Sequence, residues 1–139
     1  MIDESKLSKT LWYLNGIVQD FDNEERDPDD PDYEDNAELI ESFRAAIAVL
    51  KEPGRAIRTI NDDRLDKPRT IADVTERGFY LGTIARGGPS DPPLRTIFLK
   101  DAVLDPGWLY LGEFLAFHVL RKSMYEATTV LQKLDWEAS

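Results

Sequence analysis

The 139 residues carry 17 lysines and arginines against 27 aspartates and glutamates, a formal net charge of −10, with 42% hydrophobic and 10% aromatic residues. This length and apolar content suit one domain with a single core and argue against global disorder. The chain has no cysteine, which excludes disulfides, thiolate metal sites and cysteine nucleophiles.

No apolar run is long enough for a bilayer, and Met1-Ile2-Asp3-Glu4-Ser5-Lys6 lacks the basic-then-apolar order of a secretory leader. A cytoplasmic protein without membrane contact is expected. The charge is local. Between Asp20 and Glu41 stand twelve carboxylates and one base, Arg26, a net −11 that leaves +1 for the rest of the chain. The expectation is a nearly neutral body bearing one acidic segment.

Leu7, Leu11, Leu14, Val18 and Phe21 recur at helical spacing, which predicts a first helix over residues 5–21, with Trp12 and Ile17 flanking the stripe. Residues 23–35 then combine two prolines with closely spaced carboxylates, and an exposed acidic loop at about 22–35 follows. A second helix is expected from about Asn36, with Ile40, Phe43, Ile47 and Leu50 as its apolar face, ending at Pro53-Gly54. These two helices read as an antiparallel pair.

Residues 55–60 fit another helical turn or two with Ile57 and Ile60 inward, and residues 61–68 read as loop. A short helix over 70–77 closed by Gly78 is expected next. Residues 79–84 and 94–99 are rich in aromatic and β-branched side chains and are separated by a Gly/Pro-rich stretch, which predicts a small two-stranded hairpin. Finally, Asp105-Pro106 resembles a helix start, and Phe117, Leu120, Met124, Ala127, Leu131 and Leu134 keep helical spacing. At about 1.5 Å per residue such a helix would run roughly 40 Å, so it must bend near Gly112 or project onto another chain.

Chemical motifs are sparse. Asp20, Asp22 and Glu24 alternate like the start of a calcium loop, but Glu25 replaces the turn glycine and Pro31 the closing glutamate. No metal site and no cofactor is expected. Carboxylates at this density attract a basic protein surface, with Tyr33 as an aromatic anchor. The candidate partner-binding set is therefore Asp27, Asp29, Asp30, Asp32, Tyr33, Glu34 and Asp35. Direct nucleic-acid binding is not expected, because the basic residues alternate with acids.

His118 is the only histidine. The run His118-Val119-Leu120-Arg121-Lys122-Ser123 resembles the His-x-Leu-Lys-Gly-Ser signature of histidine phosphotransfer domains, small helical bundles whose exposed histidine accepts a phosphoryl group from aspartate. The resemblance covers six residues and implies His118 as acceptor and Arg121 as the cation beside the phosphate. Lys122 stands where that family has glycine.

Taken together, the residues predict an α+β, mainly α domain spanning 1–139: an antiparallel helix pair, a small two-stranded hairpin and a long C-terminal helix. The expected function is a non-catalytic interaction protein, of adaptor, inhibitor or immunity type, that contacts a basic partner protein through the acidic loop. Self-association through the C-terminal helix, by Trp108, Phe114, Tyr125 and Trp136, is a further expectation. The alternatives are phosphotransfer through His118 and a small enzyme of unknown class, for which Asp101 and Asp105 offer a carboxylate pair.

Overall fold

A computed structural model of the chain describes residues 4–23, 29, 31, 33–85, 90–101 and 107–136. Three α-helices come first: α1 (Glu4–Asn23), α2 (Tyr33–Lys51) and α3 (Pro53–Ile60). Strand β1 (Arg69–Thr70) and a 3-10 turn over Ile71–Asp73 follow, then β2 (Gly78–Ile84), β3 (Leu94–Lys100), β4 (Trp108–Leu111) and β5 (Phe117–Val119). A second 3-10 segment, Lys122–Ala127, leads into β6 (Thr128–Leu134).

All six strands form one antiparallel sheet in the order β1-β6-β2-β3-β4-β5. Both faces are covered. On one face Phe79, Ile97, Leu99, Leu109 and Leu111 meet Leu14 of α1, Ile47 and Leu50 of α2, and Ala56 of α3. On the other, Tyr80, Phe98, Trp108 and Val130 meet Ile71, Val74 and Leu120, with Met124 and Tyr125 alongside. Burying a side chain of this size removes roughly 1.5–3 kcal/mol of unfavourable hydration, so each layer is a core in its own right.

Aromatic rings organise the second layer. Trp108 lies 5.7 Å from Tyr80 and 6.4 Å edge-on from Phe98, and the Tyr80 hydroxyl donates to the Glu76 carbonyl oxygen at 2.6 Å. Burial pushes the Tyr80 phenol pKa up. Lys133 pairs with Glu76 at 2.6 Å, tying the segment before β2 to β6 and holding the Glu76 carboxyl below its ordinary value.

The predicted C-terminal helix is absent: residues 108–134 supply β4, β5, a 3-10 segment and β6. Gly107 and Leu115 take positive φ, at 84° and 57°, and break any helical register there. Trp108-Leu109-Tyr110-Leu111 and Thr128-Thr129-Val130 are aromatic and β-branched runs that pack on both faces of a sheet. The helical route to self-association lapses with it. Trp108 and Trp136 are buried and Tyr125 is half-buried, leaving Phe114 as the exposed member of that set.

The two-stranded hairpin is corrected as well. Residues 79–84 and 94–99 do pair, Phe79 opposite Leu99, but as central strands of a six-stranded sheet. Elsewhere, residues 70–77 hold a 3-10 turn instead of a helix, and Gly78 opens β2. Ile57 is 42% exposed, whereas Ile60 packs against the core. Helix α2 starts at Tyr33 rather than Asn36. No helix among the described residues is long and apolar enough to cross a membrane.

Strand β6 carries a bulge: Leu81 faces Gln132 while Gly82 faces Val130, so Leu131 is the extra residue. A Cβ on Gly82 would sit 2.5 Å from the Thr129 carbonyl oxygen and 3.0 Å from the Phe98 ring. Gly82→Ala is therefore expected to cost about 1–3 kcal/mol in urea unfolding, the usual penalty for overpacking. Gly16→Ala in α1 meets nothing within 4 Å and is expected to stabilise by about 0.5–1 kcal/mol, because glycine disfavours a helix interior. Equal effects at the two positions would contradict this packing.

Candidate partner-binding groove

The acidic segment joins the end of α1 to the start of α2. Asp22 near the end of α1 pairs with Arg44 of α2 at 2.5 Å, while Leu14 further back meets Ile47 and Leu50, so α2 runs back along α1. Both members of the pair are about half exposed, and such pairs contribute little to stability. Their effect here is positional: they close one end of a groove of about 710 Å³ between the helix pair and the sheet.

The floor of this groove is apolar, made by Phe21, Ile40, Phe79, Leu99 and Trp136. Its walls carry Asp22, Glu41, Arg44 and Arg77. Arg77 acts as a clamp from the segment before β2 onto α2. Its guanidinium donates to Ser42 Oγ at 2.7 and 3.1 Å, to the Glu38 carbonyl oxygen at 2.8 Å and to Glu41 Oε2 at 3.1 Å. Ser42 is buried and passes its own hydrogen on to Glu38 O at 3.1 Å. Both arginines are thus engaged by carboxylates of the wall itself, while Glu38 and Asp20 are exposed.

Trp136 and Phe79 are the buried aromatics of the site. Phe79 packs on Trp136 with ring centroids 5.9 Å apart, and the Arg55 guanidinium lies 4.4 Å from the Trp136 ring centre. The Trp136 Nε1–H is buried and has no acceptor among the described residues. An unpaired buried donor costs about 1–3 kcal/mol.

The expected site residues distribute unevenly. Asp27, Asp30 and Asp32 lie outside the described residues. Asp29 is an exposed turn residue, and Tyr33, Glu34 and Asp35 fall in the first turn of α2 rather than in a loop. None of the seven is among the residues lining the groove, which periodicity could not reveal because Arg77, Phe79, Leu99 and Trp136 reach it from distant parts of the chain.

His118 is on β5, not on a helix, with its ring 5.5 Å from Tyr110. Arg121 is exposed at the start of the second 3-10 segment. The helical bundle implied by the phosphotransfer resemblance is therefore not the setting of this histidine. Asp101 is buried and its N–H donates to Gly107 O at 2.7 Å, while Asp105 lies outside the described residues. Among the described residues no three histidines or carboxylates come together to hold a metal ion. Asp62, the strongly shifted carboxyl among the described residues, does not line the groove: hydrogen bonds from Arg64 lower its pKa to about 2.

If Arg77 clamps the groove wall, Arg77→Ala should cost about 1.5–3 kcal/mol, the range for hydrogen bonds to a charged donor. Arg77→Lys should recover only part of that, since one ammonium cannot span acceptors on three residues. Chemical denaturation of the three proteins decides it, and full recovery by lysine would reject the clamp. No protein-family model, curated protein or solved structure matches this chain.

Proposed function

We propose that this chain is a non-catalytic binding protein that holds a basic segment of a partner protein at the acidic end of its helix pair. One observation carries the reading: a groove with an apolar floor is lined by Asp22 and Glu41, which stand near the two ends of the segment with a net charge of −11. An aliphatic or aromatic side chain of the partner fills the floor between Ile40, Phe79 and Trp136. Lysines or arginines flanking that side chain meet the carboxylates of residues 20–41, including Asp27, Asp29, Asp30 and Asp32.

The division of labour follows from the physics. Exposed carboxylates in water act over about 8 Å at physiological salt, which raises the association rate more than it slows release. Desolvated apolar contact in the groove sets the lifetime of the complex. The adaptor, inhibitor and immunity-type roles all share this requirement for a basic, partly apolar epitope.

The test uses synthetic peptides carrying one leucine or phenylalanine flanked by lysines and arginines, titrated against the full chain. Replacing Asp27, Asp29, Asp30 and Asp32 together by asparagine should lower affinity and flatten its salt dependence with unchanged helix content. Filling the groove by Ala37→Trp should weaken binding roughly tenfold, about 1.4 kcal/mol, while leaving the salt slope intact. Binding that neither change alters would refute the proposal.

A further inference from the structure

The sheet ends on β5, and among the described residues β4 is its sole strand partner. Its hydrogen-bonding phase can be read from its flanks. Leu120 N–H donates to Trp108 O at 3.0 Å, and Gly112 N–H donates to Ala116 O at 2.8 Å. Between these, Tyr110 faces His118. Alternation along an antiparallel ladder then turns the backbone groups of His118 toward β4, and those of Phe117 and Val119 outward to the open edge.

At three residues the strand is short, but Phe117-His118-Val119 has no proline, no lysine and no bulge to block pairing at that edge. It is also flanked by apolar surface. Val119 is 56% exposed and Tyr13 of α1 63% exposed. Phe117 and Tyr13 share a groove of about 360 Å³ with Leu109, the residue opposite Val119.

The geometry points to a second copy of this chain as the occupant, joined by antiparallel pairing of β5 with β5 about a two-fold axis through His118. In that register Phe117 of each copy lies opposite Val119 of the other, and the outward N–H and C=O groups exchange four hydrogen bonds. Each end is complementary in charge. Running the strands in opposite directions sets Arg121 of one copy alongside the turn that carries Glu113 of the other, and both residues are exposed. The strand itself is neutral, so like charges do not meet at the axis. Pairing of identical patches closes after two subunits and turns two six-stranded sheets into one continuous sheet.

The acidic segment lies elsewhere. Tyr13 and Asp22 are nine residues apart on α1, about 13 Å along the helix, so the groove proposed for a basic partner stays open in the pair. The two associations respond oppositely to salt. Two bodies of net charge −10 repel, so added salt should strengthen self-association, whereas it weakens capture of a basic peptide.

Sedimentation equilibrium of the full chain over a wide concentration range tests the proposal. Wild type should approach twice the 15.9 kDa chain mass, more completely at higher salt. Val119→Pro removes an outward N–H without touching a bond to β4, and Val119→Lys places a charge on the edge. Each should raise the dissociation constant roughly tenfold or more, while Val119→Thr should not. Circular dichroism of the variants shows whether the sheet is retained; should the proline variant unfold, the lysine variant decides. A single-chain mass for wild type throughout, association of Val119→Lys equal to wild type, or capture of a foreign strand without self-association would each overturn the inference. None of these outcomes bears on the groove, whose lining the variants leave intact.

Discussion

Strand β2 has β6 on one side and β3 on the other, and its side chains enter both layers of the core. Phe79 points to the helices and Tyr80 to the opposite layer, and residues 79–82 are all buried. A strand in this position dictates the rest. Its helix side must be roofed by α1 to α3, and its other side by the two 3-10 segments and the chain around them. The bulge at Leu131 and the missing Cβ at Gly82 let β6 approach closely enough to complete the arrangement.

The groove arises where this roofing is incomplete. The helix pair and the sheet do not close against each other near Ile40 and Leu99, and Arg77 bridges the remaining gap with hydrogen bonds to three residues of α2. An arginine suits that task because its planar fork reaches several acceptors at once and stays charged. Placing the acidic segment at the same end sets long-range attraction beside short-range apolar contact, which is the combination that protein recognition needs. The β5 edge is a separate surface with a different physical basis, backbone hydrogen bonding, and its residues are not shared with the groove.

Much of the helical half was legible. Leu7, Leu11, Leu14 and Val18 keep a 3.6-residue period because α1 packs on one side only, and α2 does the same through Ile40, Phe43, Ile47 and Leu50. The strands were harder for a specific reason. Strands β2 and β3, buried along most of their length, show continuous apolar runs, whereas β5 is three residues long and β6 mixes buried and half-exposed positions with Thr, Gln and Lys, so neither gives a clear strand pattern. Phe117, Leu120, Met124, Ala127, Leu131 and Leu134 match helical spacing by coincidence, although they fall in β5, the link after it, a 3-10 segment and β6. The implausible length of about 40 Å was the available warning.

The chain alone determined the location of its charge, the absence of thiol chemistry and the amphipathic faces of α1 and α2, because composition and short-range periodicity are properties of neighbouring residues. Only the tertiary structure decided that residues 108–134 build strands β4, β5 and β6 in place of a helix, that His118 lies at a sheet edge, and that Arg77 and Trp136 meet Ile40 in one groove. Those outcomes depend on pairings between residues far apart in sequence, whose free energy comes from burial on both faces of a shared sheet and not from any local preference.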